Sequence, residues 1–225
     1  MTSPSLADLR AFVRRHTRST PVPDLPDIRL QTAEDVARLS RAATVELGLA
    51  DADLPYWAFP WAGGLAVARH LAAHPEVVAG REVVDVGTGS GLCAIAAARS
   101  GATSVRAFDV DRLAQAAVEL NARANRVRIA FTLGDPLDGP PPPCDVLLAG
   151  DVCYQEAMAG RMLPWLREAA SHGALVLIGD PGRAYLPPDV RRLATYAVRT
   201  TRELEDVEVK ESAVYVLAPA AAALS

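Results

Sequence analysis

The sequence lacks several features that would mark common classes of protein. No run of about 18 apolar residues occurs, so no membrane-spanning helix is expected. Acidic residues outnumber basic ones and the formal net charge is −4, which leaves no broad positive surface for a nucleic-acid backbone. The three cysteines, Cys93, Cys144 and Cys153, are odd in number and scattered. They predict reduced thiols and a reducing compartment, either bacterial cytoplasm or mitochondrial matrix.

A metal-ligand pattern is also missing. His70 and His74 stand four residues apart in a helix predicted over residues 65–74, but no third ligand accompanies them, and we expect no metal site. Aromatic residues make up only 5% of the chain, yet several of them are concentrated between Leu54 and Gly64, in a segment broken by proline and glycine. Aromatic rings on such a loop either cover a flat ligand or seal the edge of the core, and composition favours neither interpretation.

The length of 225 residues suits one α/β domain. We divide it into an N-terminal helical extension, residues 1–54, and a Rossmann-like core, residues 55–225. Apolar spacing predicts a helix over residues 5–17 and a second helix that begins at Thr32 as its N-cap. Three prolines predict an extended connector between these helices, namely Pro21, Pro23 and Pro26. The two helices are expected to cover the core.

Strands and helices alternate regularly from residue 81 onward. Alternation of this kind predicts a mostly parallel sheet with helices on both faces. A helix is predicted over residues 189–197, followed by an antiparallel hairpin that completes a seven-stranded sheet. The predicted strands cover residues 82–86, 104–109, 128–133, 145–150, 173–179, 198–204 and 207–217.

Residues 83–98 are interpreted as a buried strand, a tight turn and a helix. The turn contains Gly87, Gly89 and Gly91 at alternate positions, where glycine permits chain reversal and close approach of a ligand to bare backbone. The dinucleotide-binding pattern G-x-G-x-x-G needs a glycine at position 92, which is Leu92. Asp85 instead precedes Gly87 by two residues. That spacing resembles motif I of class I S-adenosylmethionine-dependent methyltransferases, while a nicotinamide-dependent oxidoreductase or a non-catalytic binding module stays open.

An aspartate stands at or near the end of each of the first five core strands. Ligands of open parallel sheets bind beyond this edge, and a row of acids there favours a cationic ligand such as a sulfonium. Asp109, about twenty residues past the glycine turn, is placed to accept a ribose hydroxyl. Asp135 is expected at the adenine amino group, and Asp85 is expected to order the turn and face the methionine ammonium. Asp111 is expected to cap the next helix.

The fourth strand end is the predicted reaction edge. Asp151 and Tyr154 stand there without the prolines that methylases of base amines carry at this place. An acid and a phenol suit an aliphatic amine, since Asp151 can orient the cation and Tyr154 can hydrogen-bond it. The charged turn after the fifth strand is expected to face a substrate through Asp180 and Arg183.

Together these motifs resemble the seven-β-strand protein-lysine methyltransferases, and within them the electron transfer flavoprotein β-subunit lysine methyltransferase family. The resemblance covers residues 55–187 and depends on five blocks: Pro55-Tyr56-Trp57-Ala58 with Trp61-x-Gly63-Gly64, Asp85 to Gly91, Asp109-Val110-Asp111, Gly150 to Tyr154, and Leu177 to Arg183. An acidic residue commonly follows the tyrosine in this family, whereas Gln155 stands here.

The resemblance implies a class I methyltransferase fold and S-adenosyl-L-methionine as cofactor. It implies that Trp61 lies against the cofactor, that Asp109 binds ribose, and that Asp151 and Tyr154 border the methyl-transfer channel. The implied protein substrate is the electron transfer flavoprotein β subunit. Another protein, such as a ribosomal protein, or a small amine is the alternative substrate.

Overall fold

The computed structural model describes residues 3–49, 54–200 and 206–218. Three short 3₁₀ turns accompany the helices and strands in these ranges: Tyr56–Ala58, Pro75–Val77 and Pro136–Asp138. The helices are α1 Leu6–His16, α2 Val36–Leu47, α3 Ala62–Ala73, α4 Leu92–Arg99, α5 Arg112–Ala124 and α6 Glu156–Ser171. The strands are β1 Arg18–Val22, β2 Leu25–Thr32, β3 Glu82–Val86, β4 Ser104–Asp109, β5 Ala130–Leu133, β6 Val146–Gly150, β7 Leu175–Asp180, β8 Arg191–Arg199 and β9 Val209–Leu217.

Seven of these strands form the central sheet, in the order β5-β4-β3-β6-β7-β9-β8. The first five are parallel to one another. Strand β9 then pairs with β7 and with β8 in the antiparallel sense. The prediction of a mostly parallel seven-stranded sheet closed by an antiparallel pair is confirmed. Because β3 lies between β4 and β6, the chain order reverses at this strand, and open sheets bind ligands at such a point.

Alternate residues of the strands pack into two separate cores. Val83 belongs to the core that α3 and α4 cover, whereas Val84 and Val86 belong to the core that α6 covers on the opposite face. This alternation follows from the two-residue period of a strand, and helices therefore cover both faces as predicted. Asp85 shares the face of Val83, and this places its carboxylate beside the start of α4.

The N-terminal segment is a helical cover with a β-hairpin inserted in it. The connector predicted around the three prolines is instead the antiparallel pair β1–β2. Proline is tolerated there because the pair forms a separate two-stranded sheet, so few ladder hydrogen bonds are lost. Helix α2 is capped by Asp35, which accepts from the Arg38 amide at 2.7 Å. The prediction of Thr32 as N-cap was therefore wrong, because Thr32 ends β2 instead.

The helix predicted over residues 189–197 was also wrong. These residues belong mostly to β8, which pairs with β9 from Arg191 opposite Val216 to Arg199 opposite Val209, with a register shift at Leu193. Leu193 and Ala197 fit a helical period, but pairing with a buried neighbouring strand outweighs that local preference. The strand predicted over residues 198–204 overlaps the end of β8, and its residues 201–205 lie outside the described ranges.

Two further observations concern the expectations from composition. Among the described residues, the helices found are too short or too polar to cross a membrane. Cys93, Cys144 and Cys153 are all free thiols, with Cys93 and Cys153 buried.

Candidate active site

The candidate active site is a cleft of about 1310 Å³ at the carboxyl ends of β3, β4 and β6. Helix α2 and the aromatic loop before α3 form its opposite wall. It collects most of the predicted site residues: Trp61, Asp85, Gly87, Gly89, Asp109, Asp135, Asp151, Tyr154 and Arg183.

The glycine turn has the backbone that the sequence predicts. Gly87, Gly89 and Gly91 have φ angles of +63°, +50° and +80°, a region that is strained for other residues. Gly91 is also the N-cap of α4 and packs against Val118, to which an added Cβ would come within 3.1 Å. The turn is therefore closely supported from the α5 side, and its open side faces the cleft.

Asp85 orders this turn from beneath. Its Oδ2 accepts hydrogen bonds from the Thr88 hydroxyl and from the Ala94 amide at 3.1 Å, and only 1% of the residue is exposed. Burial raises the pKa of Asp85 to about 7 from an ordinary value of 3.8, against the opposing effect of its two hydrogen bonds. A cation bound in the cleft would offset this burial cost, as expected for the floor of a site that takes a positively charged ligand.

Asp109 ends β4 and is bonded to the glycine turn. Its Oδ2 accepts from the Gly89 amide at 2.8 Å and its Oδ1 accepts from the Asp111 amide at 3.0 Å. Burial raises the pKa of Asp109. Each carboxylate oxygen has a second lone pair, so the group is held in place while retaining capacity for a ribose hydroxyl. Asp111 caps α5 through the Leu113 amide, as predicted.

Asp135 is more strongly engaged than the sequence suggests. Its Oδ1 accepts from the Leu137 amide at 3.0 Å, and its Oδ2 accepts from the Arg161 guanidinium at 2.7 Å. Asp135 does line the cleft, but it caps a 3₁₀ turn and belongs to a surface ion pair. An adenine amino group would share this carboxylate with Arg161.

The aromatic loop contributes a group of tilted rings to the cleft. The Trp61 ring lies 5.5 Å from the Tyr56 ring at an interplanar angle of 52°, and the Tyr154 ring lies 5.4 Å from the Tyr56 ring at 47°. The indole Nε1 of Trp61 donates to the Tyr56 carbonyl at 3.0 Å. Tyr56 thus links Trp61, the residue implied at the cofactor, to Tyr154 at the predicted reaction edge. Each of the two interpretations holds for different rings. Tyr56 and Trp61 line the cleft, whereas Trp57 and Phe59 are buried in an apolar core with α1, α2 and α5.

Asp151 follows β6 in a left-handed backbone conformation, with φ of +56°. A non-glycine residue in this region is uncommon and costs about 1 kcal/mol or more, and such residues cluster at functional sites. Its Oδ2 accepts from the Gly64 amide at 2.9 Å and its Oδ1 accepts from the Arg183 guanidinium at 3.1 Å. The carboxylate is therefore held by two donors of the protein itself.

Gly63 explains why α3 can reach Asp151. An added Cβ at Gly63 would lie 2.2 Å from the Gly179 carbonyl oxygen and 2.7 Å from Asp151 Oδ2. The first turn of α3 therefore sits directly on the ends of β6 and β7. The sequence analysis placed Gly63 and Gly64 in the loop before a helix that starts at Leu65, besides using both glycines in the family resemblance. The helix in fact begins at Ala62.

The sequence led us to expect that Asp180 contacts a partner from the protein surface, but the structure places Asp180 in the interior. It is 0% exposed, and its Oδ1 accepts from the amides of Gly182 and Arg183, both at 2.6 Å. Burial raises the pKa of Asp180. The expectation is corrected because the carboxylate folds back on its own turn. Arg183 does line the cleft.

Asn121 is a supporting residue that sequence reasoning missed. It lies fully buried on α5, where its Nδ2 donates to the Ser90 carbonyl of the glycine turn at 2.8 Å and its Oδ1 accepts from the Gln31 amide of β2 at 2.7 Å. Its amide group therefore ties the N-terminal hairpin to the turn. The available signal was an asparagine on the otherwise apolar face of α5, since a buried amide requires partners.

The described residues contain no group of three or more histidine, cysteine, aspartate or glutamate residues that could hold a metal ion. His70 lies buried on α3, with its Nδ1 3.0 Å from the Tyr196 hydroxyl. Burial lowers the pKa of His70.

Known proteins with the same pattern are methyltransferases. A family model described as ribosomal protein L11 methyltransferase (PrmA) matches residues 71–151. The electron transfer flavoprotein beta subunit lysine methyltransferase of Xenopus laevis is 35% identical over 217 residues, covering 93% of this chain and 87% of that protein. The protein of the same name from Danio rerio is 40% identical over 172 residues, covering 72% of this chain and 65% of that protein.

A solved structure supports the fold. A putative RNA methyltransferase from Pyrococcus horikoshii superimposes with a TM-score of 0.53 at 15% identity, over 69% of this chain and 82% of that chain. At this identity the likeness concerns the fold alone.

Proposed function

This chain belongs to the electron transfer flavoprotein β-subunit lysine methyltransferase family, and from that premise we propose that it methylates lysine side chains of the electron transfer flavoprotein β subunit. Membership rests on the identity with the Xenopus laevis protein over 93% of this chain. It makes the chain an S-adenosylmethionine-dependent methyltransferase. The protein substrate is our inference, drawn from the names of the relatives.

The residues of the cleft fit the cofactor. The carboxylate of Asp109, which the Gly89 amide holds in place, would bind its ribose, and Trp61 with Tyr56 would cover an apolar part of it. Asp85 lies beneath the turn, where burial disfavours its ionised carboxylate. A cation bound nearby would favour the ionised form again. When bound, S-adenosylmethionine supplies an electrophilic methyl group carried by a sulfonium.

The chain has to present a neutral amine at Asp151 and Tyr154. A free lysine has a pKa near 10.4, so exposing the neutral amine at a pH of about 7.4 costs ~4 kcal/mol. A partly desolvated cleft reduces this cost because it disfavours the charged ammonium. Tyr154 lines the same cleft, and its hydroxyl would accept or donate a hydrogen bond at the amine. Asp151 is held so that it can orient the amine without moving.

One observation carries the proposal more than any other. Asp151 and Tyr154, from the end of β6, line the same cleft as Gly89 and Asp109, from the ends of β3 and β4. A cofactor-holding group and an amine-orienting group that share one cavity at a strand-order reversal form the arrangement that methyl transfer to an amine requires.

The test is to incubate the purified chain with tritiated S-adenosylmethionine and purified electron transfer flavoprotein. We expect label on lysine residues of the β subunit, located by mass spectrometry. Ribosomal protein L11 is assayed in parallel, because the matching family model bears its name. Label on L11 and none on the flavoprotein would overturn the proposed substrate while leaving the reaction class intact.

The chain offers a clean background for this assay. It contains a single lysine, Lys210, so label on the enzyme's own lysines is restricted to one position. The variant Lys210→Arg removes that position without removing its charge.

A further inference from the structure

Asp151 is linked through hydrogen bonds to the turn that follows β7. The Asp180 carboxylate accepts from the backbone amides of Gly182 and Arg183 and so shapes this turn. The turn carries the Arg183 guanidinium to Asp151 Oδ1 at 3.1 Å. The other oxygen of Asp151 accepts from Gly64 at the start of α3. The order of contact is therefore Asp180, Arg183, Asp151 and Gly64.

These groups are largely buried, so the position of each one constrains the positions of the others. Asp180 is 0% exposed, and the side chains of Asp151 and Arg183 are 13% and 25% exposed. Hydrogen bonds between charged groups are stronger than neutral ones and gain strength where water is scarce. The Asp180 Oδ2 atom is buried and makes no hydrogen bond with the described residues. An uncompensated carboxylate oxygen is costly to bury, which indicates a function beyond closing a turn.

The backbone of Asp151 increases the need for such support. Its φ of +56° is a conformation that other parts of the structure must stabilise. The Asp151 amide donates to the Gly179 carbonyl at 2.9 Å, in the strand that leads directly into Asp180. Both the main chain and the side chain of Asp151 are thus fixed by the end of β7.

We propose that Asp180 and Arg183 are positioning residues for methyl transfer: Asp180 shapes the turn after β7 so that Arg183 holds the Asp151 carboxylate in the orientation that receives the substrate amine. Neither residue recognises the protein partner directly. This inference rests on the proposed function for its kinetic part, and its structural part is independent of any substrate.

The structural test measures hydrogen exchange of the Gly64 backbone amide by NMR. Because this amide donates to Asp151 Oδ2, its protection reports whether Asp151 is in place. In Arg183→Met we expect Gly64 to exchange about tenfold faster or more, since a hydrogen bond to a charged group contributes at least that factor to an equilibrium. Arg183→Lys keeps the charge and should recover part of the protection.

A double-mutant cycle tests whether Asp180 acts through Arg183. Asp180→Ala alone should speed exchange at Gly64, and adding it to Arg183→Met should have little further effect, because a residue that acts through another is not additive with it. Asp180→Asn keeps an oxygen for the two turn amides, so it should fold with the turn intact and leave exchange at Gly64 near the wild-type rate. Arg167→Met is the matched control, because it breaks a surface ion pair with Asp189 outside the cleft.

The kinetic readout separates positioning from recognition. With the flavoprotein as substrate, Arg183→Met should lower kcat by about tenfold or more while changing KM little. A rise in KM at unchanged kcat would show direct recognition of the partner and overturn the proposal. Unchanged exchange at Gly64 would overturn it as well, even if wild-type enzyme methylates another protein. Absence of label on the flavoprotein with altered exchange at Gly64 would instead refute the substrate alone.

Discussion

Gly63→Ala tests the close approach of α3 to the strand ends. The added Cβ would lie 2.2 Å from the Gly179 carbonyl oxygen, a main-chain atom that cannot turn away. Overpacking of this kind costs about 1–3 kcal/mol, and alanine recovers up to about 1 kcal/mol of helix propensity. We therefore expect the free energy of unfolding to fall by about 1–2 kcal/mol, which lowers Tm by about 2–8 °C in a chain of this size.

Gly160→Ala is the matched control for that variant. Gly160 also lies in a helix, α6, but an added Cβ there meets nothing within 4 Å. Its replacement should raise the free energy of unfolding by about 0.5–1 kcal/mol. Thermal unfolding followed by circular dichroism measures both variants. If Gly63→Ala were stabilised as Gly160→Ala is, α3 would not sit on the strand ends, and the argument that it holds Asp151 would fail.

Three further predictions concern the acids and the phenol of the cleft. Burial raises the pKa of Asp85 in the folded protein to about 7, above its ordinary value of 3.8. The folded state therefore binds the extra proton, and stability falls as pH rises between these values. Urea unfolding of Asp85→Asn at several pH values should show a smaller fall in stability than wild type, and an identical fall would contradict the prediction. Asp109→Ala should weaken binding of S-adenosylhomocysteine by about tenfold or more, because it removes a charged hydrogen-bond acceptor. Titration calorimetry measures this affinity, and an unchanged value would exclude Asp109 as the acceptor of a ribose hydroxyl. Tyr154→Phe should lower turnover by about tenfold and Asp151→Ala by about a hundredfold, while both leave the affinity for S-adenosylhomocysteine nearly unchanged. An equal loss of Tm in both variants, with no separate loss of turnover, would make both residues structural.

The central strands were predictable because their signals are local. Strands β3 and β4 have the bounds predicted from the sequence, 82–86 and 104–109. Strand β3 is a short, mostly apolar run, as a parallel strand buried on both faces requires. In β4, Val105 and Ala107 alternate with Ser104 and Arg106, which is the two-residue period of a strand. The glycine turn was predictable for the same reason, since three glycines at alternate positions directly after a strand form a local signal for a tight turn.

The edges of the fold were harder to predict because their signals are not local. Strand β8 contains several arginines and a helical spacing of apolar residues, and only its pairing with β9 makes it a strand. The hairpin β1–β2 was hidden by its prolines. Strand β2 of this hairpin is held by the side-chain amide of Asn121 on α5. A contact between residues 90 positions apart leaves no pattern in a single sequence.

The candidate site shows the same division. Motif spacing found Asp85, Asp109, Asp151 and Tyr154, because each stands at the end of a recognisable strand. It could not reveal that Arg183 reaches Asp151, since that contact depends on how the ends of β6 and β7 meet in three dimensions. The hydrogen bonds of Asp180 to the amides of its own turn are local, and an aspartate followed by proline and glycine is typical of such a turn.

The most direct test of the account is a crystal structure of the chain with S-adenosylhomocysteine bound. We predict the ligand in the cleft between the glycine turn and the aromatic loop, with a ribose hydroxyl on Asp109 and the sulfur facing Asp151 and Tyr154. A ligand bound elsewhere, or one whose sulfur faces away from the end of β6, would contradict the account.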